Sequence, residues 1–164
     1  MKWTTAQVVF REFPDEVTLA INLSQCPNRC RGCHSPQLRE DIGEYLDMVT
    51  IDNLIEDHPQ ITCIGFMGGD ANPEEIAVFA KMIKEDYPHL KVGWYSGRYL
   101  LPDDMIVDDL DYVKTGPYIP EKGPLSNPNT NQRMWKRNDR SWDDITYRFW
   151  PSTLNFGIKE NKQP

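Results

Sequence analysis

Runs of apolar residues mark the predicted strands of this chain. Residues 17–23 (VTLAINL) alternate large apolar residues with small or polar ones, the period-two pattern of a strand with one buried face. Residues 61–67 (ITCIGFM) are almost continuously apolar, which is typical of a strand buried on both faces of a parallel sheet. Shorter runs at residues 91–95 and 111–115 predict two further strands.

Apolar residues with helical spacing lie between these strands. The best-marked helix begins at Pro73, directly after Asn72, and has an apolar stripe at i, i+3, i+4 and i+7: Ile76, Phe79, Ala80 and Ile83. Weaker patterns predict helices at residues 50–58 and 102–109. The repeated order of strand, loop and helix predicts an α/β fold with a mostly parallel sheet and helical crossovers.

The C-terminal third of the chain has a different character. Residues 116–133 are rich in Pro, Gly and Asn and predict a long surface loop, and residues 145–150 (ITYRFW) suggest a late strand. We therefore expect a single domain over residues 1–164, with its core at about 10–116 and a loop-rich extension at 117–164.

Composition limits the expected partners and cellular location of the protein. The 164 residues carry a formal net charge of -7, which argues against nucleic acid as the main partner because phosphate binding relies on Lys and Arg. The sequence has no apolar run long enough to span a membrane, and its N-terminus lacks the apolar region of a signal peptide. We therefore expect a cytoplasmic protein with no membrane partner, in which clustered thiols bind metal or do redox work.

Three of the four cysteines lie within eight residues, in the stretch CPNRCRGCHSP. Its Cys-Arg-Gly-Cys-His segment has the pattern that attaches a c-type haem, but this assignment normally goes with export and leaves Cys26 unexplained. A zinc site is a second interpretation. Zinc ligands usually come in pairs two to four residues apart, whereas Cys33 and His34 are adjacent.

An iron–sulfur cluster is the third interpretation of this stretch. Three thiolates can hold three irons of a [4Fe–4S] cluster and leave the fourth iron open to another ligand. Cys63 lies inside the predicted buried strand at 61–67, where a small core residue is the expected role. Zinc, an electron-transfer cluster and an open cluster all remain candidates on spacing alone.

The motifs at the strand ends carry a resemblance to a known family. CPNRCRGC resembles the Cys-x3-Cys-x2-Cys signature of the radical S-adenosylmethionine superfamily, and GGD after the strand at 61–67 resembles its glycine-glycine-acid motif. With MGGDANPEE, WYSGR and DYVKTGPY, the chain resembles the anaerobic ribonucleoside-triphosphate reductase activating proteins over about residues 10–135. The resemblance implies a partial, incomplete βα barrel of the radical SAM type.

The resemblance also implies the cofactors. Cys26, Cys30 and Cys33 would bind a [4Fe–4S] cluster, and S-adenosylmethionine would bind the open iron. No side chain would act as a catalytic acid or base, since the cofactors supply the chemistry.

Contacts to S-adenosylmethionine follow from the same resemblance. Gly68 and Gly69 lack side chains, so their backbone could approach the methionyl ammonium closely. Asp70 would add charge to that corner or, alternatively, cap the following helix. The adenine would lie along three residues at the end of the cysteine loop: Gly32, Cys33 and His34.

The implied reaction places a glycyl radical on the large subunit of an anaerobic ribonucleotide reductase, with a low-potential electron donor as a second partner. An incomplete barrel would leave an open edge, which suits a large protein substrate or a homodimer. The alternatives are activation of another glycyl radical enzyme, a small-molecule radical SAM reaction, or a non-enzymatic zinc or iron–sulfur module.

Some positions depart from the resembled family or have two interpretations. Thr115 stands where relatives often have aspartate and cannot carry that charge. Lys114 is interpreted as a surface lysine, with a contact to the cofactor carboxylate as the alternative. Three tryptophans would either cover the open side of the barrel or take part in docking: Trp135, Trp142 and Trp150.

Overall fold

The computed structural model describes residues 1–100, 107–139 and 141–151. These residues form eight strands: Lys2–Val9 (β1), Thr18–Leu23 (β2), Glu44–Tyr45 (β3), Cys63–Met67 (β4), Lys91–Tyr95 (β5), Tyr112–Thr115 (β6), Arg133–Arg137 (β7) and Trp142–Asp144 (β8). They also form two α-helices, Met48–Glu56 (α1) and Pro73–Asp86 (α2), and two short 3-10 helices, Pro36–Arg39 and Thr146–Phe149.

All eight strands belong to one open sheet with the order β3-β1-β2-β4-β5-β6-β7-β8. The four central strands, β2, β4, β5 and β6, are parallel. Both margins are antiparallel: β1 and β3 on one side, β7 and β8 on the other. The sheet of the described residues is thus mixed, not mostly parallel, because strands outside the predicted core pair with both sides of the parallel centre.

The four strands predicted from apolar runs are confirmed, with ends that differ by at most two residues. Helices α1 and α2 are confirmed as well, whereas most of the helix predicted at 102–109 lies outside the described residues. The strand predicted at 145–150 is wrong. There the Asp144 carboxylate accepts hydrogen bonds from the amide and hydroxyl of Thr146, which start a turn and then a 3-10 helix.

Each face of the central strands packs into a different part of the core. Residues Ile64 and Phe66 of β4 face the helical side with α1 and α2, whereas Cys63, one position away, belongs to the other side. On that second side the ring of Phe13 stacks on Tyr112 at a centroid distance of 5.2 Å. Both faces of β4 are therefore buried, as its apolar sequence predicts. The side chains of β2 are also mostly buried on both faces, although its alternating sequence predicts one buried face. Among the described residues, no helix has the length and apolar character needed to cross a membrane.

Candidate functional site

The cysteine loop leaves β2 and is held by the segment that follows it. The amides of Gln25 and Cys26 donate to the carbonyls of Glu40 and Leu38 at 3.1 and 2.9 Å. The Arg39 guanidinium donates to the Cys30 carbonyl. The loop therefore folds back on the short 3-10 helix at Pro36–Arg39, which starts at a proline.

Cys26, Cys30 and Cys33 are free, partly exposed thiols that line one cleft of about 200 Å³. Gly68 and Tyr95, at the ends of β4 and β5, form part of the same cleft. The predicted grouping of these three thiols beside the sheet is thus present in the fold.

Cys63 is separated from this cleft by its burial in β4. Its side chain is fully inaccessible to solvent, and burial raises the pKa of its thiol well above the ordinary value. A neutral thiol in a core position does not compete as a metal ligand, because the thiolate is the binding form. The chain thus has three cysteines at the cleft and no fourth one to join them.

The donor set at the cleft consists of three thiols, the ligand type that holds iron–sulfur clusters. Over the residues that the structure describes, no three side chains of His, Cys, Asp or Glu converge closely enough to hold one metal ion. A cluster requires less convergence, since each thiolate binds a different iron. Arg29 and Arg39 also line the cleft, and the buried Nε of Arg39 has no hydrogen-bond partner. Positive charge here would offset the negative charge of a thiolate-bound cluster.

Hydrogen bonds join the turns after β4, β5 and β6 beside the cleft, which Gly68 and Tyr95 line. The Gly68 amide donates to the Tyr95 carbonyl at 3.1 Å. The buried ammonium of Lys114 donates to the Gly116 carbonyl at 2.6 Å, and a weaker contact of 3.5 Å reaches the carbonyl of Ser96. The ends of β4, β5 and β6 are thus joined at one mouth.

Gly68 and Gly69 have different surroundings, although both have a positive φ, 109° and 93°. Gly68 lines the cleft, and its carbonyl accepts a 2.6 Å hydrogen bond from the Trp94 indole. Gly69 lies outside the lining of the cleft, and a Cβ there would come within 2.8 Å of Ile76. Close packing of α2 on the sheet therefore explains Gly69, while Gly68 presents backbone to the cleft.

Asp70 lies beside the cleft rather than in its lining and is 6% exposed. One carboxylate oxygen accepts from the Ser96 hydroxyl at 2.6 Å, and the other accepts from the Gly97 amide at 2.7 Å. The residue before α2 is Asn72, so Asp70 does not take the helix-capping role considered from sequence. The carboxylate is instead stabilised by hydrogen bonds from two residues that follow β5.

Gly32 and His34, predicted to lie along an adenine, are exposed and outside the lining of the cleft. Gly32 has a φ of 68° and lies against the long loop after β6, since a Cβ would be 3.3 Å from Pro120. The cofactor contacts predicted for these two residues stay predictions.

The interpretation of Lys114 as a surface residue is wrong. Its side chain is 8% exposed, lies within 5.9 Å of the Tyr95 ring centroid, and has its pKa lowered to about 8 by burial. Asp70 and the three cysteines of the loop oppose this effect on the pKa. The error arose because a lone lysine in a short strand gives no sign of the carbonyls that surround it. Thr115, the neighbouring residue, accepts a 3.0 Å hydrogen bond from the indole of Trp135.

Sequence reasoning missed several residues of this region: Asn28, Arg39 and Tyr95. The Asn28 amide contacts the Asp70 carboxylate and lies 3.7 Å from the Cys26 sulfur. Its position between two cysteines was a signal, but the contact with Asp70 spans 42 residues and no local pattern reveals it.

Comparison with protein families now adds to this geometry. The model of the 4Fe-4S single cluster domain matches residues 17–135, which is most of the chain and includes all three cleft cysteines. The chain belongs to this family. Comparisons with curated proteins and with solved structures find no match. This cluster domain is therefore an iron–sulfur protein, and Cys26, Cys30 and Cys33 are the residues that could hold its cluster.

Proposed function

We propose that this cluster domain is a radical SAM activase, which uses S-adenosylmethionine to generate a glycyl radical on an anaerobic ribonucleoside-triphosphate reductase. The observation that carries the proposal is a cleft with three thiols and no fourth. Three thiolates leave one iron of a [4Fe–4S] cluster open, which is the position a second cofactor would occupy. When bound, the cluster supplies the electron for reductive cleavage of S-adenosylmethionine.

The residues of the chain bind and orient these groups. Cys26, Cys30 and Cys33 would hold the cluster, while Arg29 and Arg39 would offset its charge. The carbonyl of Gly68 accepts one hydrogen bond from Trp94 and keeps a second lone pair, which could accept from the methionyl ammonium. We interpret β2, β4, β5 and β6 as the parallel strands of an incomplete radical SAM barrel, whose open sheet would admit a protein substrate.

The proposed function is tested by anaerobic reconstitution with iron and sulfide. We expect the optical and electron paramagnetic resonance signatures of a [4Fe–4S] cluster, and 5′-deoxyadenosine after reduction with S-adenosylmethionine present. Incubation with the reductase should then produce the doublet of a glycyl radical. A colourless protein with one tightly bound zinc would contradict the cluster, and an intact cluster without 5′-deoxyadenosine would contradict the radical SAM assignment.

The identity of the substrate needs its own control. A reductase variant whose radical-bearing glycine is replaced by alanine should give no doublet. Formation of 5′-deoxyadenosine with no radical on the wild-type reductase would point to another glycyl radical enzyme or to a small molecule as the substrate.

A further inference from the structure

The three residues that directly follow β5, Ser96, Gly97 and Arg98, have no role in the proposed chemistry, yet all three bind Asp70. Ser96 and Gly97 donate to the two carboxylate oxygens, and the Arg98 guanidinium donates to the Asp70 carbonyl at 3.2 Å. The Nε of Arg98 also lies 3.8 Å from the carboxylate. These contacts join the ends of β4 and β5 through one buried carboxylate.

Asn28 extends this group of contacts to the cysteine loop. Its Nδ2 lies 2.5 Å from the Asp70 carboxylate and 3.7 Å from the Cys26 sulfur. Carboxylate and sulfur are both acceptors, so the nitrogen of the amide, with its two hydrogens, must face them. One N–H of Asn28 can therefore donate a hydrogen bond to the carboxylate while the other donates to the sulfur.

Gly97 supplies independent support, because its missing side chain makes room for Asn28. A Cβ at Gly97 would lie 2.4 Å from Nδ2 and 2.6 Å from Cγ of Asn28. The φ of Gly97 is not in the left-handed region, so backbone conformation does not demand glycine there. Glycine is needed there because a side chain would occupy the space of the Asn28 amide.

We propose that Asn28 is a positioning residue that fastens the cysteine loop to the sheet and donates a hydrogen bond to the sulfur of Cys26. The proposal rests on the assignment of Cys26 as a cluster ligand in the proposed function. Asp70 then acts on the cluster through Asn28. Because a hydrogen bond to a ligand sulfur stabilises the more negative, reduced cluster, Asn28 should raise the reduction potential.

The test is a redox titration of the reconstituted protein without S-adenosylmethionine, followed by electron paramagnetic resonance. We expect Asn28→Ala to shift the midpoint potential to a more negative value. Asn28→Asp should lower the iron content, because it places a second carboxylate against Asp70. The matched control is Asn129→Ala, at an exposed position of the long loop, which should keep the wild-type iron content and potential. Asn28→Ala with wild-type iron content and an unchanged potential would overturn the proposal.

Gly97→Ala displaces the Asn28 amide without removing it and should shift the potential in the same direction. A wild-type potential in Gly97→Ala, beside a shifted one in Asn28→Ala, would show that the fit against Gly97 does not matter and would count against the proposed positioning role.

The melting temperature of the metal-free protein can be measured even for a variant that binds no cluster. We expect the losses in melting temperature of Asn28→Ala and Asp70→Ala to be less than additive in the double variant, since either change removes the same contact. Full additivity would contradict the proposal. The midpoint potential and the melting temperature are both measured without S-adenosylmethionine cleavage, so a failed activase assay would not contradict the role of Asn28. Conversely, an unshifted potential would not contradict the activase assignment.

Discussion

The cysteine loop and the C-terminal strands are both attached to the parallel centre of the sheet, but by different kinds of contact. Strands β7 and β8 are held by ladders of backbone pairs that begin at β6. The cysteine loop is held by a few bonds, among them those of Asn28 and Arg39, and two of its non-glycine residues have positive φ, Gln25 and Arg29. A ladder distributes its stability over many backbone groups, whereas the loop depends on two backbone hydrogen bonds to residues 38–40 and on single side chains.

This difference predicts how each region responds to substitution. Changes in the loop should alter the cluster and leave most of the fold intact. Changes in the C-terminal strands should have small effects on stability and none on the cluster.

The largest effect is expected at the cleft cysteines. Substitution of any one of them by serine, as in Cys30→Ser, should abolish nearly all cluster binding, because each thiolate would hold its own iron. Iron and sulfide per chain, with the visible absorbance, measure this. Cys63→Ala is the matched control and should keep the cluster, since Cys63 is buried in β4. Loss of the cluster in Cys63→Ala, with retention in Cys30→Ser, would break the assignment.

The free energy of unfolding should depend on pH because of Lys114. This residue lies in β6, the strand that pairs with β7 and ends at the mouth. Its pKa falls to about 8 in the fold, against 10.5 for an ordinary lysine. Between these values the unfolded chain binds the extra proton, so stability should rise with pH in this window. Relative to Lys114→Met, the free energy of unfolding of the wild type should rise across this window by on the order of 3 kcal/mol, at about 1.4 kcal/mol per pKa unit.

The measurement is denaturant unfolding of the metal-free protein at several pH values between 8 and 10.5. The charged groups that act on Lys114 are Asp70 and the three cleft cysteines, and both proteins retain them. Subtracting the curve of Lys114→Met removes contributions from tyrosines whose pKa is raised by burial, such as Tyr112. A difference that stays flat across the window would contradict the buried position of Lys114.

Gly93→Ala tests the sheet away from the mouth. A Cβ at Gly93 would lie 2.3 Å from the Phe13 ring, which is itself stacked on Tyr112. Overpacking of this kind should lower the free energy of unfolding by about 1–3 kcal/mol. The protein that remains folded should hold a normal amount of iron. Loss of the cluster in parallel with stability would show that loop and core are not separable.

The smallest effect is expected in the C-terminal region. Arg148 forms a two-pronged ion pair with Asp15, at 2.6 and 2.8 Å, but the aspartate side chain is 63% exposed. Arg148→Ala should therefore cost less than about 1 kcal/mol in urea unfolding. A larger loss would mean that the C-terminal strands depend on single side chains as the loop does.

Part of the site could be predicted because its signals are local. The spacing of Cys26, Cys30 and Cys33 and the glycines after β4 lie within short segments, so residue order alone suggests their chemistry. The burial of Lys114 and the contact of Asn28 with Asp70 could not be predicted, since both depend on partners from other strands. Strand β7 could not be predicted for the same reason, since its polar residues pair with β6 only after a long loop.

The sequence by itself determined the parallel centre of the sheet and the grouping of three thiols, because apolar periodicity and cysteine spacing are properties of neighbouring residues. Only the tertiary structure decided which strand ends share the cleft, that Asp70 is bound by the end of β5, and that the margins of the sheet are antiparallel. These depend on contacts between segments far apart in the chain, where the register of strands and the room left by a glycine such as Gly97 set the distances.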